Sequence, residues 1–361
     1  LEEIEDYYQK TGRNFRKRYQ SLGFDPENLM GKPVYKDGKF THVKGLGWVI
    51  PEYNRAQISM NLTNYKISSI HDIYDSACEE AEKRGLRVTG SEIVGLIPYQ
   101  AIESAGKHYL KKMGKSPGMP PNDLVNIAIQ SLGLSDVSDF KASDKILGMP
   151  KINGELANRV TFDLIDEVSR DSPAPGGGSV AALSGSLGVA LAIMVANLCT
   201  SKAGFEQKKK KLSKIAEEGQ KIKEFLVNAI DEDTNAFDKV IKAMRMPKDS
   251  DIEKKLRDEK MQEGYKSATE IPLKTVEYCC KALEICERTA KLMDDNMASD
   301  VGSGAHMSMA GARAAAYNVR INLASIKDKK YISETKNELN LLLSNCEKLL
   351  KDISKKIEER M

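Results

Sequence analysis

The chain has 361 residues, enough for about two domains, with 55 Lys and Arg against 52 Asp and Glu. A formal charge of +3 leaves no strong field to gather nucleic acid or another polyanion. Six cysteines lack any CxxC pair and His42, His71, His108 and His306 show no ligand spacing; this speaks against a disulfide framework or zinc site and predicts a reducing cytoplasmic setting with no metal.

The chain opens on Leu1 in a charged helical run (Glu2, Glu3, Glu5, Asp6), which reads as the interior of a longer protein. No signal peptide is recognisable. His42 to Ile50 is strand-like, and Ala56 to Leu62 alternates apolar and polar residues as a half-buried strand does. Ser69 to Arg84 is an amphipathic helix closed by Gly85. Residues 87–97 suggest further strands, and Tyr99 to Met113 another helix. The order β-β-α-β-α predicts an α+β two-layer sandwich over residues 1–148. A weakly patterned linker at 149–159 holds Pro150 and Gly154. From 160 to 361 the pattern is helical throughout, predicting an all-α bundle of about six helices.

Within the bundle, Pro173-Ala-Pro-Gly-Gly-Gly-Ser179 opens a long helix. Glycines allow a ligand or a second backbone to approach, and a helix start directs free N–H groups at whatever lies over it. A flexible linker would have the same composition. The loop lacks the Gly-Lys-Ser/Thr ending of a phosphate-binding loop, and no strand precedes it. Val180 to Cys199 carries no charge over twenty residues. Its alanines, Ser184, Ser186 and Asn197 make it a buried core helix rather than a membrane span. The run Lys208 to Lys211 reads as the solvated face of the next helix.

That helix carries an apolar stripe through Leu226, Ile230, Phe237, Val240, Ile241 and Met244, and Asp233 interrupts it. A carboxylate facing a core is paired, protonated or tuned as a base, because desolvation raises its pKa. Asp231 turns to the polar side. Downstream, Ser299 or Asp300 is a fair N-cap for a helix running through Ala305 to Ile326. Asn318 and Asn322 share a small-residue face of that helix, either as interhelical hydrogen bonds or as ligand contacts.

Four motifs in order, Asp171-Ser-Pro-Ala-Pro-Gly-Gly-Gly-Ser-Val-Ala-Ala182, Ile230-Asp-Glu-Asp-Thr-Asn-Ala-Phe237, Ala268-Thr-Glu-Ile-Pro-Leu273 and Ala316-Tyr-Asn-Val-Arg-Ile-Asn-Leu323, resemble the formiminotetrahydrofolate cyclodeaminase domain. Upstream, Lys44-Gly-Leu-Gly-Trp48, Ala56 to Leu62 and Gly90 to Pro98 resemble the C-terminal subdomain of glutamate formiminotransferase. The chain is thus similar to the bifunctional formimidoyltransferase-cyclodeaminase family, without the N-terminal transferase subdomain and its catalytic histidine.

The resemblance implies conversion of 5-formimidoyltetrahydrofolate to 5,10-methenyltetrahydrofolate and ammonia in histidine degradation, with Asp233 as the proton acceptor. It implies that Gly176, Gly177, Gly178 and Ser179 line a folate pocket, with Asp300, Asn318 and Asn322 positioning the substrate. It further implies polyglutamylated tetrahydrofolate as carrier substrate, no metal, and a homodimer or higher homo-oligomer with neither nucleic-acid nor membrane partners. Two alternatives are a methenyltetrahydrofolate cyclohydrolase on the same helical domain and a non-catalytic folate-binding or assembly module.

Overall fold

A computed structural model describes residues 20, 21, 23, 25, 38–51, 54–150, 154–172 and 174–361. The charged N-terminal run and Pro173 lie outside the described residues. Two compact units divide at Ile73/Tyr74, and each is taken by itself.

In the first unit, strands β1 (Val43–Ile50) and β2 (Arg55–Leu62) pair antiparallel, with Val43 opposite Leu62 and Ile50 opposite Arg55. Both faces of this hairpin are open: Leu46 and Trp48 point one way and Val49 the other, all exposed. Helix α1 (Ile70–Glu82) follows. Gly85 ends it at φ +69°, and Leu86 N–H donates to the Ala81 carbonyl, the left-handed cap that its position predicted.

The strands expected over 87–97 reduce to β3 (Ile97–Pro98), which pairs parallel with β4 (Ile146–Leu147). Gly90 and Gly95 both take positive φ, and Ser91 donates its N–H to Gly133 O and its hydroxyl to Leu132 O. The β-branched residues here belong to an irregular segment pinned to a helix end. Among the described residues the sheet structure is this pair and the hairpin, so the expected full sandwich is not seen in them. Helices α2 (Tyr99–Lys112), α3 (Pro121–Ser131) and α4 (Ala142–Lys145) complete the region; the pattern had suggested only the first of them.

Residues 114–120 lie against the bundle. Asn197 and Gln220 both donate their amides to Gly118 O. A Cβ on Gly118 would stand 2.7 Å from the Ala216 carbonyl carbon. Such contacts place residues 74–150 in the same compact unit as the helices that follow.

Six helices follow, the number the pattern predicted: α5 (Thr161–Val168), α6 (Gly177–Thr200), α7 (Lys209–Met244), α8 (Asp251–Leu292), α9 (Ala298–Leu323) and α10 (Lys329–Glu358); the short α5 buries none of its residues, and the other five pack into the bundle. Helix α6 packs against α7, α8 and α9, with Ala181, Val189, Ala192, Val195 and Ala196 fully buried. It is long and apolar enough to cross a membrane by length and composition, yet most of it is buried among its neighbours. A Cβ on Gly311 of α9 would stand 2.7 Å from Ala181 O, and one on Gly304 would stand 2.7 Å from Gly188 O. The small residues permit backbone-to-backbone approach of α6 and α9, which larger side chains would prevent.

Helix α8 carries Pro272 in its interior, buried. Proline has no N–H, so the carbonyl four residues earlier loses its helical donor. That carbonyl is Ala268 O, and Asn322 Nδ2 of α9 donates to it at 2.7 Å. Asn322 therefore ties two helices together, the structural alternative for this amide. Replacing Asn322 with Ala is expected to cost about 1–3 kcal/mol in urea unfolding, because a half-buried carbonyl is left unpaired.

Candidate functional site

The site forms where the start of α6 meets the middle of α7. Gly176 is the N-cap residue of α6, extended at φ −127° and ψ −156°, with no side chain to occupy the free N–H groups. Gly178 and Ser179 are buried, while Gly177 is open. A Cβ on Gly178 would overlap both carboxylate oxygens of Asp233. Glycine is required here because the carboxylate occupies the space that a side chain would fill.

Ser179 fixes the same junction twice. Its hydroxyl donates to Ile230 O at 2.6 Å and lies 3.2 Å from Thr234 Oγ1, and its backbone N–H donates to the Asp233 carboxylate. Two effects therefore oppose each other at Asp233. Burial raises its pKa, while the amide donor and the positive helix end lower it. Burial wins: the carboxyl is pushed up to about 6. Such a group is largely ionised at neutral pH, yet holds a proton far better than an exposed aspartate does.

The neighbouring acid does something different. Asp231 accepts from the N–H groups of Leu156 and Ala157 at 2.8 and 3.0 Å, and Gly154 lies too close to it to carry a side chain. Residues two apart on a helix point about 200° apart. One carboxylate thus anchors the connector and the other faces the Gly-rich helix start. Leu156, packed with Ala182, Ala229 and Ile230, holds that connector beside the site.

Of the other expected residues, Asn318 comes to the site and Asp300 does not. The Asn318 amide donates to Ala314 O at 3.0 Å, and a Cβ on Gly177 would stand 3.3 Å from it. Asn322 is occupied at α8. Asp300 lies in the first turn of α9, eighteen residues before Asn318, about 27 Å along the helix axis. Within one chain it therefore lies well away from the Asp233 carboxylate and the Asn318 amide. Neither Ser299 nor Asp300 caps α9: its N-cap is Met297, two to three residues earlier, and Asp294 caps the preceding 3-10 turn by accepting from Asn296 N–H. Sequence reasoning missed Thr234, whose adjacency to Asp233 is its one local signal. It also missed the Asp231 anchor.

The helical part of the chain has the fold of a solved folate enzyme. It resembles the formiminotetrahydrofolate cyclodeaminase of Thermotoga maritima with a TM-score of 0.52 and 27% identity, covering 57% of this chain and 98% of that one. A methenyltetrahydrofolate cyclohydrolase of Methylorubrum extorquens is 32% identical over 204 residues, 56% of this chain and 98% of that protein. The formimidoyltransferase-cyclodeaminase of Gallus gallus is 32% identical over 326 residues, 88% of this chain. This chain spans 59% of the length of that relative. Residues 161–341 match Formiminotransferase-cyclodeaminase and residues 14–150 match the Formiminotransferase domain. The chain belongs to the formiminotransferase-cyclodeaminase family.

The geometry makes a stability prediction that needs no substrate. With its pKa raised from 3.8 to about 6, Asp233 weakens the fold above pH 6, where the folded state must bury the charge. That penalty fades as pH falls from about 6 to 4, because the folded carboxyl takes up its proton first. Asp233→Asn should therefore raise unfolding free energy by roughly 2 kcal/mol at pH 8 and by almost nothing at pH 4. Equal effects at both pH values in urea titrations would show that the carboxyl is not desolvated. Gly178→Ala should instead destabilise at either pH.

Proposed function

We propose that the chain closes the ring of 5-formimidoyltetrahydrofolate to give 5,10-methenyltetrahydrofolate and ammonia, with Asp233 as the base. The reading rests on the desolvated Asp233 carboxylate at the Gly-rich start of α6, in a chain of this family. Folate N10 attacks the formimino carbon, and Asp233 takes the N10 proton. The C–N bond to the exocyclic nitrogen then breaks. The N10 proton passes through Asp233 to that nitrogen, and a second proton from solvent completes ammonia. A pKa of about 6 suits both halves of this transfer, since the group is basic enough to accept and acidic enough to return the proton.

Gly176, Gly177, Gly178 and Ser179, with Asn318, would line the folate pocket, their N–H groups and amide facing ring oxygens and nitrogens. The carrier would be tetrahydrofolate with a polyglutamate tail, and the step as written passes through no metal. The setting would be histidine degradation in the cytosol, to which six free thiols are suited, in a homo-oligomeric enzyme with neither nucleic-acid nor membrane partners. Residues 1–148 would form part of the transferase domain's α+β sandwich, joined through 149–159 to the cyclodeaminase domain at 160–361. In a complete protein, that domain would transfer the formimino group from N-formimino-L-glutamate to tetrahydrofolate.

The Methylorubrum extorquens relative favours a second reading, hydrolysis of the methenyl ring by water on the same helical domain. One assay separates the two. Purified protein given 5-formimidoyltetrahydrofolate should release ammonia and develop the methenyl absorbance in equal amounts. Consumption of methenyltetrahydrofolate without ammonia release from the formimino compound would select the hydrolase. Folate binding with neither reaction would leave a binding module. Asp233→Asn is expected to lower turnover by about 100-fold or more, and the wild-type rate should fall as pH drops through about 6. A rate insensitive to the Asn substitution would remove Asp233 from the mechanism.

A further inference from the structure

Asn318 and Asn322 lie one turn apart on α9 and make unlike bonds. The Asn322 amide crosses to α8 and serves a carbonyl that Pro272 leaves bare. The Asn318 amide reaches back along its own helix to Ala314 O at 3.0 Å, a carbonyl that the helical N–H of Asn318 already serves. That bond joins no two elements, so packing gives no reason for an amide at a position where alanine is the better helix former. What the bond does fix is orientation. Only the NH2 end can face a carbonyl oxygen, so Oδ1 turns to the other side, and among the described residues it accepts from none.

A Cβ on Gly177 would stand 3.3 Å from Asn318 Nδ2 and 3.7 Å from its Oδ1, and a Cβ on the next residue, Gly178, would overlap the Asp233 carboxylate. An amide oxygen and a carboxylate therefore flank one bare turn, at residues whose Cα atoms are about 3.8 Å apart. The acidity of Asp233 is set by burial and by the Ser179 amide, and among the described residues no cationic side chain acts on it. A desolvated carboxylate without a counter-ion, beside an oxygen that can only accept, is a receptor for a positively charged N–H donor. The formimino group of the proposed substrate is such a donor, because an amidine is protonated at neutral pH and bears N–H bonds on its exocyclic nitrogen. A 5-formyl group has the same outline but is neutral, and its oxygen would meet the Asn318 oxygen with no proton between them.

We infer that Asn318 Oδ1 accepts a hydrogen bond from the exocyclic nitrogen of the formimino group, and so makes the site select a protonated formimino carrier over its formyl counterpart. The identity of the group rests on the proposed reaction; the fixed acceptor beside Asp233 stands on the geometry. Asn318 forms and breaks no covalent bond. Once N10 has attacked, N10 and the exocyclic nitrogen share one carbon, and the two acceptors divide the work. Asp233 takes the N10 proton. Asn318 holds an N–H of the leaving nitrogen, which keeps that nitrogen's lone pair free for the proton Asp233 returns.

Binding of 5-formimidoyltetrahydrofolate and of 5-formyltetrahydrofolate to the full chain, read in stopped flow before turnover, tests this directly. The wild type should prefer the formimino compound by about tenfold or more, and Asn318→Ala should lose most of that preference at unchanged helical circular dichroism. Asn318→Asp keeps an acceptor in the same place and should retain the preference. A folate site elsewhere in the chain would contribute equally to all three proteins. An equal preference in the wild type and Asn318→Ala, or none in the wild type, would overturn the role of Asn318. A wild type that shows the preference and loses it with Asn318→Ala, yet releases no ammonia, would overturn the proposed reaction and leave the acceptor assigned.

Discussion

The bundle depends on how little helix α6 carries on its buried faces. Where it meets α9, Gly188, Gly304 and Gly311 bring backbones to distances that exclude any Cβ. Where it meets α7, Gly178 leaves room for the carboxylate of Asp233. A helix built from leucines would keep its neighbours near 10 Å away, and Asp233 would then stand in solvent with an ordinary acidity. Close packing is therefore the cause of the electrostatics. The loss of side-chain volume along α6 is offset by dispersion contacts between backbones and by the cores that α8 and α10 add around it.

At Asp233 two effects oppose each other and burial outweighs the amide donor, which matters chemically. A carboxylate at a helix start with an amide donor usually becomes a stronger acid. Here desolvation overrides it and leaves the group near neutrality. Had Ser179 N–H been turned away, burial alone would push the pKa higher still. Had the site been open, the carboxylate would be too weak a base. The Ser179 hydroxyl, anchored on Ile230 O, holds the amide in place, so a residue expected to touch ligand acts at least equally by positioning the helix start.

Much of this was legible in the residues. The six helices follow from apolar periodicity, and Asp233 stood out because it broke an apolar stripe. What escaped depended on partners remote in sequence. Asn322 is explained only once Pro272, fifty residues earlier, is seen to orphan Ala268 O. Residues 87–97 alternate like a strand, but Val94 and Leu96 are exposed and two glycines turn the backbone out of extended geometry. Composition cannot report a positive φ. Asp300 and Asn318 lie on one helix and read as companions, whereas a rise of 1.5 Å per residue sets them many turns apart, with Asn318 alone beside the Gly-rich start.

The same helix thus has two kinds of surface. Its glycines and alanines face inward, where closeness is needed, while Val180, Leu187 and Met194 face outward. An uncharged helix with large residues on its exposed edge reverses the usual arrangement. Polar substitutions there would be inexpensive if the edge met only water. The edge also begins at Gly177, where the site opens, and α9 carries an acid at its far end. Solubility does not explain that pattern.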